Sequence, residues 1–239
     1  LVSGVAGTFT ACNIAAFGAL APLVSGTHTV RARLAHLLKP LGWLSAGMLA
    51  VSATYGVIVA LAGTSMPQFD TAPAVPGELS ARTVQTMIIY GLIGLVMITV
   101  GLAAAGVIRD PLARVSARRP NAPMVLMGAL IGAFLIGRPF PLFRQMFRDA
   151  AESGNVLYGA AAFMLQSIGN IAIITMLFVV FGLVMGSRVQ RWIAARPSRS
   201  AVVIAAAFIV AGVFMVMYWD LRVLARREII PWYPMAPWA

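Results

Sequence analysis

An all-α polytopic membrane protein is what this sequence predicts, with six transmembrane helices arranged as a 3+3 inverted repeat and a broken fourth helix. Three observations carry the prediction. Hydrophobic residues fill 60% of the 239 positions and charged residues 10%, with a mean hydropathy of +0.88, a balance foreign to soluble domains. Six apolar stretches reach or approach the about 20 helical residues needed to cross a hydrocarbon core of about 30 Å. The cationic excess, +11 overall, falls in alternate connections.

The first span is Leu1–Val24, and the chain opens on leucine where an unprocessed product would carry methionine. A basic connection with Arg31, Arg33 and Lys39 leads to span two, Leu41–Gly63. From Thr64 to Arg82, Pro67, Pro73, Pro76 and Gly77 among small polar residues predict an irregular surface loop, nearly neutral in charge. Span three is Val84–Ile108, followed by Arg109, Arg114, Arg118 and Arg119 against Asp110 alone. Asn121-Ala-Pro123 restarts the chain into span four, Ala122–Gly137. Span five is Val156–Gly186; Arg188, Arg191, Arg196 and Arg199 precede span six, Ala201–Trp219.

Alternation of basic with near-neutral connections is the positive-inside pattern. It places both termini outside and the basic loops in the cytoplasm, where the arginines meet anionic lipid rather than nucleic acid. One membrane domain follows, with residues 1–108 and 122–219 as halves of three spans each, necessarily inverted relative to each other. Gly7-Thr-Phe9 in span one is echoed by Gly132-Ala-Phe134 in span four. Residues 220–239 read as an interfacial tail: Tyr218, Trp219, Trp232, Tyr233 and Trp238 suit head-group level, and Leu221, Leu224, Ile229 and Ile230 oppose Arg222, Arg226 and Arg227.

Span four is short. Pro123 to Gly137 makes about 22 Å of helix, and Arg138-Pro139-Phe140-Pro141 then removes two backbone donors. Leu142–Ala151 has helical composition again. Two readings stay open. Either the helix is broken in the membrane, where irregular backbone needs protein or a cavity to cover it, or span four ends and a surface amphipathic helix follows.

Reactive chemistry is sparse. His28 and His36 fall in the first basic connection, so no buried haem is expected, and no Cys/His cluster has metal-ligand spacing. No cofactor or metal is therefore predicted. Asp, Glu and Lys are absent from the six spans as drawn. The lone cysteine, Cys12, forbids an internal disulfide. Intramembrane polarity rests on Thr8, Thr10, Cys12 and Asn13 in span one, Arg138 at the break, and Gln166, Ser167 and Asn170 in span five. These either hydrogen-bond between helices or line a pocket where spans one, four and five converge. That pocket is drawn from Cys12 as candidate thiol with Asn13, Arg138, Pro139, Phe140, Pro141, Gln166 and Asn170.

Gly7-Thr-Phe-Thr-Ala-Cys12 resembles the first motif of the CcdA/DsbD family of transmembrane thiol–disulfide electron conduits, with Ala11 where proline is usual. Gly137-Arg-Pro-Phe140-Pro resembles the family's second Pro-Cys segment, and Tyr158 to Asn170 is similar to its following helix. The resemblance implies a six-span inverted-repeat core in a bacterial cytoplasmic membrane and a role in electron transport or cytochrome c biogenesis. One departure changes the mechanism. Phe140 stands at the second cysteine position and has no redox chemistry, and a single thiol forms at most a mixed disulfide with a partner.

The resulting expectation is a non-catalytic subunit or assembly factor beside a larger electron-transfer or cytochrome-maturation complex. A thiol-linked carrier using Cys12 with a partner cysteine is the second reading. A small-solute or metal permease at the break is the third.

Overall fold

The computed structural model describes residues 30–70, 76–137, 141–184 and 197–231. Every regular element among them is helical. We number the helices α1 (Val30–Ala62), α2 (Ala81–Ala104), α3 (Ala113–Arg118), α4 (Ala122–Ala133), α5 (Pro141–Ser153), α6 (Val156–Val184), α7 (Pro197–Met215) and α8 (Arg222–Arg226). Four helical stretches among the described residues are long and apolar enough to cross a membrane: Leu38–Ser65, Ala81–Ala104, Val156–Leu177 and Ala201–Arg226. The fourth predicted span is present as the shorter apolar helix Ala122–Ala133. Span one lies outside the described residues.

Neighbour contacts give each helix its direction. Gly128 lies against Leu44 and Gly132 against Met48, so α4 runs parallel to α1. Gly159 meets Gly56 while Ser167 meets Ser52, so α6 runs antiparallel to α1. Gly94 faces Gly212 and Gly101 faces Ala205, so α7 runs antiparallel to α2. These directions are what alternate crossing by successive spans requires.

Small residues set the spacing. A Cβ on Gly128 would overlap the Leu44 carbonyl, and one on Gly212 would sit 2.6 Å from the Gly94 oxygen. Lipid tails offer no hydrophobic drive between helices, so close backbone approach and dispersion hold such a bundle. Leu44, Met48, Tyr90, Met97, Met127, Ile131, Ile174 and Met215 fill its centre. Leu61, Ile88, Leu92, Leu95, Met176, Val202 and Val210 point outward, the inverse of a soluble surface and suited to contact with a lipid bilayer.

Local chemistry fixes the boundaries. Ser80 caps α2, its Oγ accepting from Thr83 N at 3.4 Å. The other end of α2 is a Schellman turn: Gly106 at φ +75° donates to Ala103 O, and Val107 donates to Leu102 O. Asn155 caps α6 by accepting from Leu157 N at 3.0 Å and Tyr158 N at 3.2 Å.

Several expectations change. The first basic connection is helical from Val30 onward, carrying Arg31, Arg33, His36 and Lys39 on α1 rather than on a loop; Leu, Ala and Arg favour helix, and Pro40 is accommodated within it. The 64–82 connection is partly ordered into short 3₁₀ turns at Gly63–Ser65 and Pro67–Phe69. Its Phe69 ring packs 5.5 Å from Phe147, so part of it is docked rather than free.

At the sixth span the helix does not end at Trp219. It passes through a π-helical segment, Val216–Leu221, into α8. Trp219 lies on this continuous helix, partly buried, with its ring 4.7 Å from Tyr90. The same extension carries Asp220 into the span, contrary to the expected absence of acidic residues there. Its Oδ2 is buried without a hydrogen-bond partner among the described residues and would lie 3.1 Å from a Cβ on Gly91. The absence of a side chain at position 91 leaves room for it.

Candidate functional site

The end of the short helix α4 is where sequence and structure meet most closely. Helix α4 lasts 12 residues, about 18 Å at 1.5 Å per residue, and cannot cross the hydrocarbon alone. Phe134 N still bonds to Leu130 O at 3.2 Å, but Leu135 N and Ile136 N switch to i−3 carbonyls at 3.1 and 3.0 Å. This tightening leaves carbonyls at the end of α4 without helical donors, a costly state in an apolar medium.

Side chains of α2 and the docked loop close that account. Gln68 Nε2 donates to the Ile136 carbonyl at 2.9 Å, and Gln85 Nε2 donates to the same oxygen at 3.2 Å. Thr86 Oγ1, within 3.1 Å of Gly137 O and 2.9 Å of Arg82 O, carries one proton between the two. Tyr90 donates its hydroxyl to Phe134 O at 3.3 Å, with its ring stacked 4.5 Å from Phe134. Gln85 also approaches the Tyr55 hydroxyl at 3.4 Å. Positions 85, 86 and 90 fall on one face of α2, so a single helix face collars the broken end. Gly137 packs so closely on Tyr90 that a Cβ would lie 2.8 Å from its ring.

Of the eight residues singled out from sequence, Gln166 and Asn170 are fully described. Both are buried one turn apart on α6. Between them Ser167, 0% exposed, shares a 2.6 Å hydrogen bond with Ser52 of α1. Gln166 is 1% exposed, yet neither its Nε2 nor its Oε1 meets a partner among the described residues. Pro141 is the first residue of α5, where a missing N–H costs nothing. Cys12, Asn13, Arg138, Pro139 and Phe140 lie outside the described residues.

Sequence reading missed the collar because it treated span three as uniformly apolar. Thr86 and Tyr90 are i, i+4 neighbours with Gln85 beside Thr86, and these polar groups at the start of span three were the available signal. It also missed Ser52, a hydroxyl small enough to disappear in an apolar run.

A second polar feature lies at the same end of the bundle. Helix α5 is amphipathic: Phe143, Phe147, Ala150 and Ala151 are buried, and Arg144, Gln145, Arg148, Asp149 and Glu152 are exposed. Its phenyl face joins Tyr55 and Phe163, the latter 5.3 Å from Tyr55 and 5.7 Å from Phe143, edge to face. Between α5, the Pro67–Phe69 turn and the start of α2 is a cavity of about 60 Å³ lined by Gln68, Phe69, Arg82, Phe143, Arg144, Phe147 and Arg148.

No protein-family model, curated protein or solved structure matches the chain.

Proposed function

We propose that this chain is an integral membrane subunit or assembly factor with a conduit-like six-span scaffold, inert in redox chemistry and bound to a larger electron-transfer or cytochrome-maturation complex. The observation that carries the reading is the collar. Carbonyls at the interrupted end of α4 are taken by Gln68, Gln85, Thr86 and Tyr90. A break closed in this way is a joint of the scaffold rather than an open site. In the sequence, Phe140 replaces the thiol with which a conduit would form its internal disulfide.

Packing also supports the inverted repeat. Spans two and five, equivalent in a 3+3 scheme, pack antiparallel through Gly56 and Gly159, and spans three and six do so through Gly94 and Gly212. In this reading the basic connections face the cytoplasm of a bacterial cell and the collar lies toward the outer face.

The test is purification from native membranes in a mild detergent. The expected result is co-elution with a larger assembly, in the same yield for Cys12→Ser as for the unsubstituted protein. A lone, fully competent protein that fails on Cys12→Ser would instead establish the thiol-linked carrier. A permease with its pathway past Gln166 is the reading favoured by that residue's buried amide, which meets no partner among the described residues. Solute uptake into proteoliposomes that is abolished by Gln166→Leu, with folding retained, would establish it.

A further inference from the structure

We propose that the cavity between α2 and α5 is a binding site for a phosphate-class oxyanion, held by Arg82, Arg144 and Arg148 with Gln68. This inference stands independently of the scaffold reading. Three guanidinium-bearing side chains reach the cavity from two separate helices, over a floor made by Phe69, Phe143 and Phe147. Its volume of about 60 Å³ is enough for a few waters or one tetrahedral anion and far too small for a nucleotide.

The arrangement concentrates positive charge. Arg144 and Arg148 are like charges at i and i+4 on α5, which repel along a helix. Arg82 has Arg144 and Arg227 as like-charged neighbours and Asp70 as its opposite-charged one. Asp70 already receives the Ala81 amide on Oδ2 at 2.8 Å. Arg82 also occupies the first turn of α2, where a cation opposes the helix dipole, although the Asp70 carboxylate on the Ala81 amide offsets part of it. A multiply charged oxyanion would relieve the Arg144–Arg148 and Arg82–Arg144 repulsions together. Arginine is the side chain whose planar fork matches several phosphate oxygens at once. The same chemistry is offered by an anionic lipid head group and by free phosphate.

The experiment uses the full chain in phosphatidylcholine nanodiscs and follows thermal unfolding by tryptophan fluorescence. One arm adds inorganic phosphate against chloride of equal ionic strength. The other replaces part of the phosphatidylcholine with phosphatidylglycerol and counts retained lipid by native mass spectrometry. The site predicts stabilisation in at least one arm, with at least tenfold weaker apparent binding in Arg144→Gln/Arg148→Gln. Arg114→Gln/Arg118→Gln, at the far end of the bundle, should bind as the unsubstituted protein does. A response to phosphate alone identifies a free anion as the ligand; a response to phosphatidylglycerol alone identifies the head group. No response in either arm overturns the proposal, and so does an equal loss in the far-end variant. If the double variant does not accumulate, Arg148→Gln alone is measured, with a weaker but same-signed loss expected.

Discussion

The collar around α4 and the arginine cavity beside α5 are neighbouring polar regions with opposite hydrogen-bond balance. In the collar, side-chain donors meet backbone acceptors: Ile136 O takes two amide donors, and Phe134 and Gly137 each face a hydroxyl, while Gln85 Oε1 stays buried without a partner among the described residues. In the cavity, three guanidinium groups gather, with Asp70 as an opposite charge beside Arg82. Gln68 belongs to both, its amide bound to the collar while its side chain lines the cavity. The difference separates polarity used to complete the backbone from polarity left for something outside the chain.

Disrupting the frame beneath the collar should have the largest effect. Gly128→Leu drives a side chain into the Leu44 backbone and should cost about 3 kcal/mol or more, read as lost monodispersity or a large fall in unfolding temperature. Gln85→Leu removes the bonds to Ile136 O and Tyr55 Oη, and should cost about 1 to 2 kcal/mol, near the upper end for interhelical bonds in membranes. Thr86→Val should cost about 1 kcal/mol on the same basis; a loss no larger than that of an outward Ile88→Val change would show that the collar contributes nothing. Glu228 holds φ +59° at the end of α8, completing a turn with Glu228 N to Ala225 O and Ile229 N to Leu224 O. Glu228→Gly should therefore stabilise by up to about 1 kcal/mol. Substituting Arg144 or Arg148 by Gln should change unliganded stability least, within about 0.5 kcal/mol.

Much of this frame was legible in the chain. Apolar run lengths place four long helices and the short fourth span, because bilayer thickness and helical rise leave little freedom. Asn121-Ala-Pro123 marks the start of α4, where proline fits the first turn. The amphipathic repeat of Phe143, Phe147 and Ala150 marks α5. What stayed hidden depended on tertiary partners. Trp219 reads as a belt residue, and its contact with Tyr90 needed the structure. Asp220 reads as the first residue of a tail until the π-helical segment carries the helix onward and Gly91 makes room. The collar joins residues 68, 85, 86 and 90 to carbonyls some fifty positions later, and no local pattern announces such a pairing. Gln166 and Asn170 were found because amides are conspicuous in an apolar run, whereas the hydroxyl of Ser52 was not.

The most direct test of the contrast is a side-by-side unfolding measurement on Gln85→Leu and Arg144→Gln/Arg148→Gln, each with and without inorganic phosphate or phosphatidylglycerol. The account predicts that Gln85→Leu is destabilised in every condition yet keeps its response to the anion, while the arginine variant matches the unsubstituted protein when unliganded and loses the response. The reverse pattern, with the arginines carrying unliganded stability and Gln85 dispensable, would contradict it.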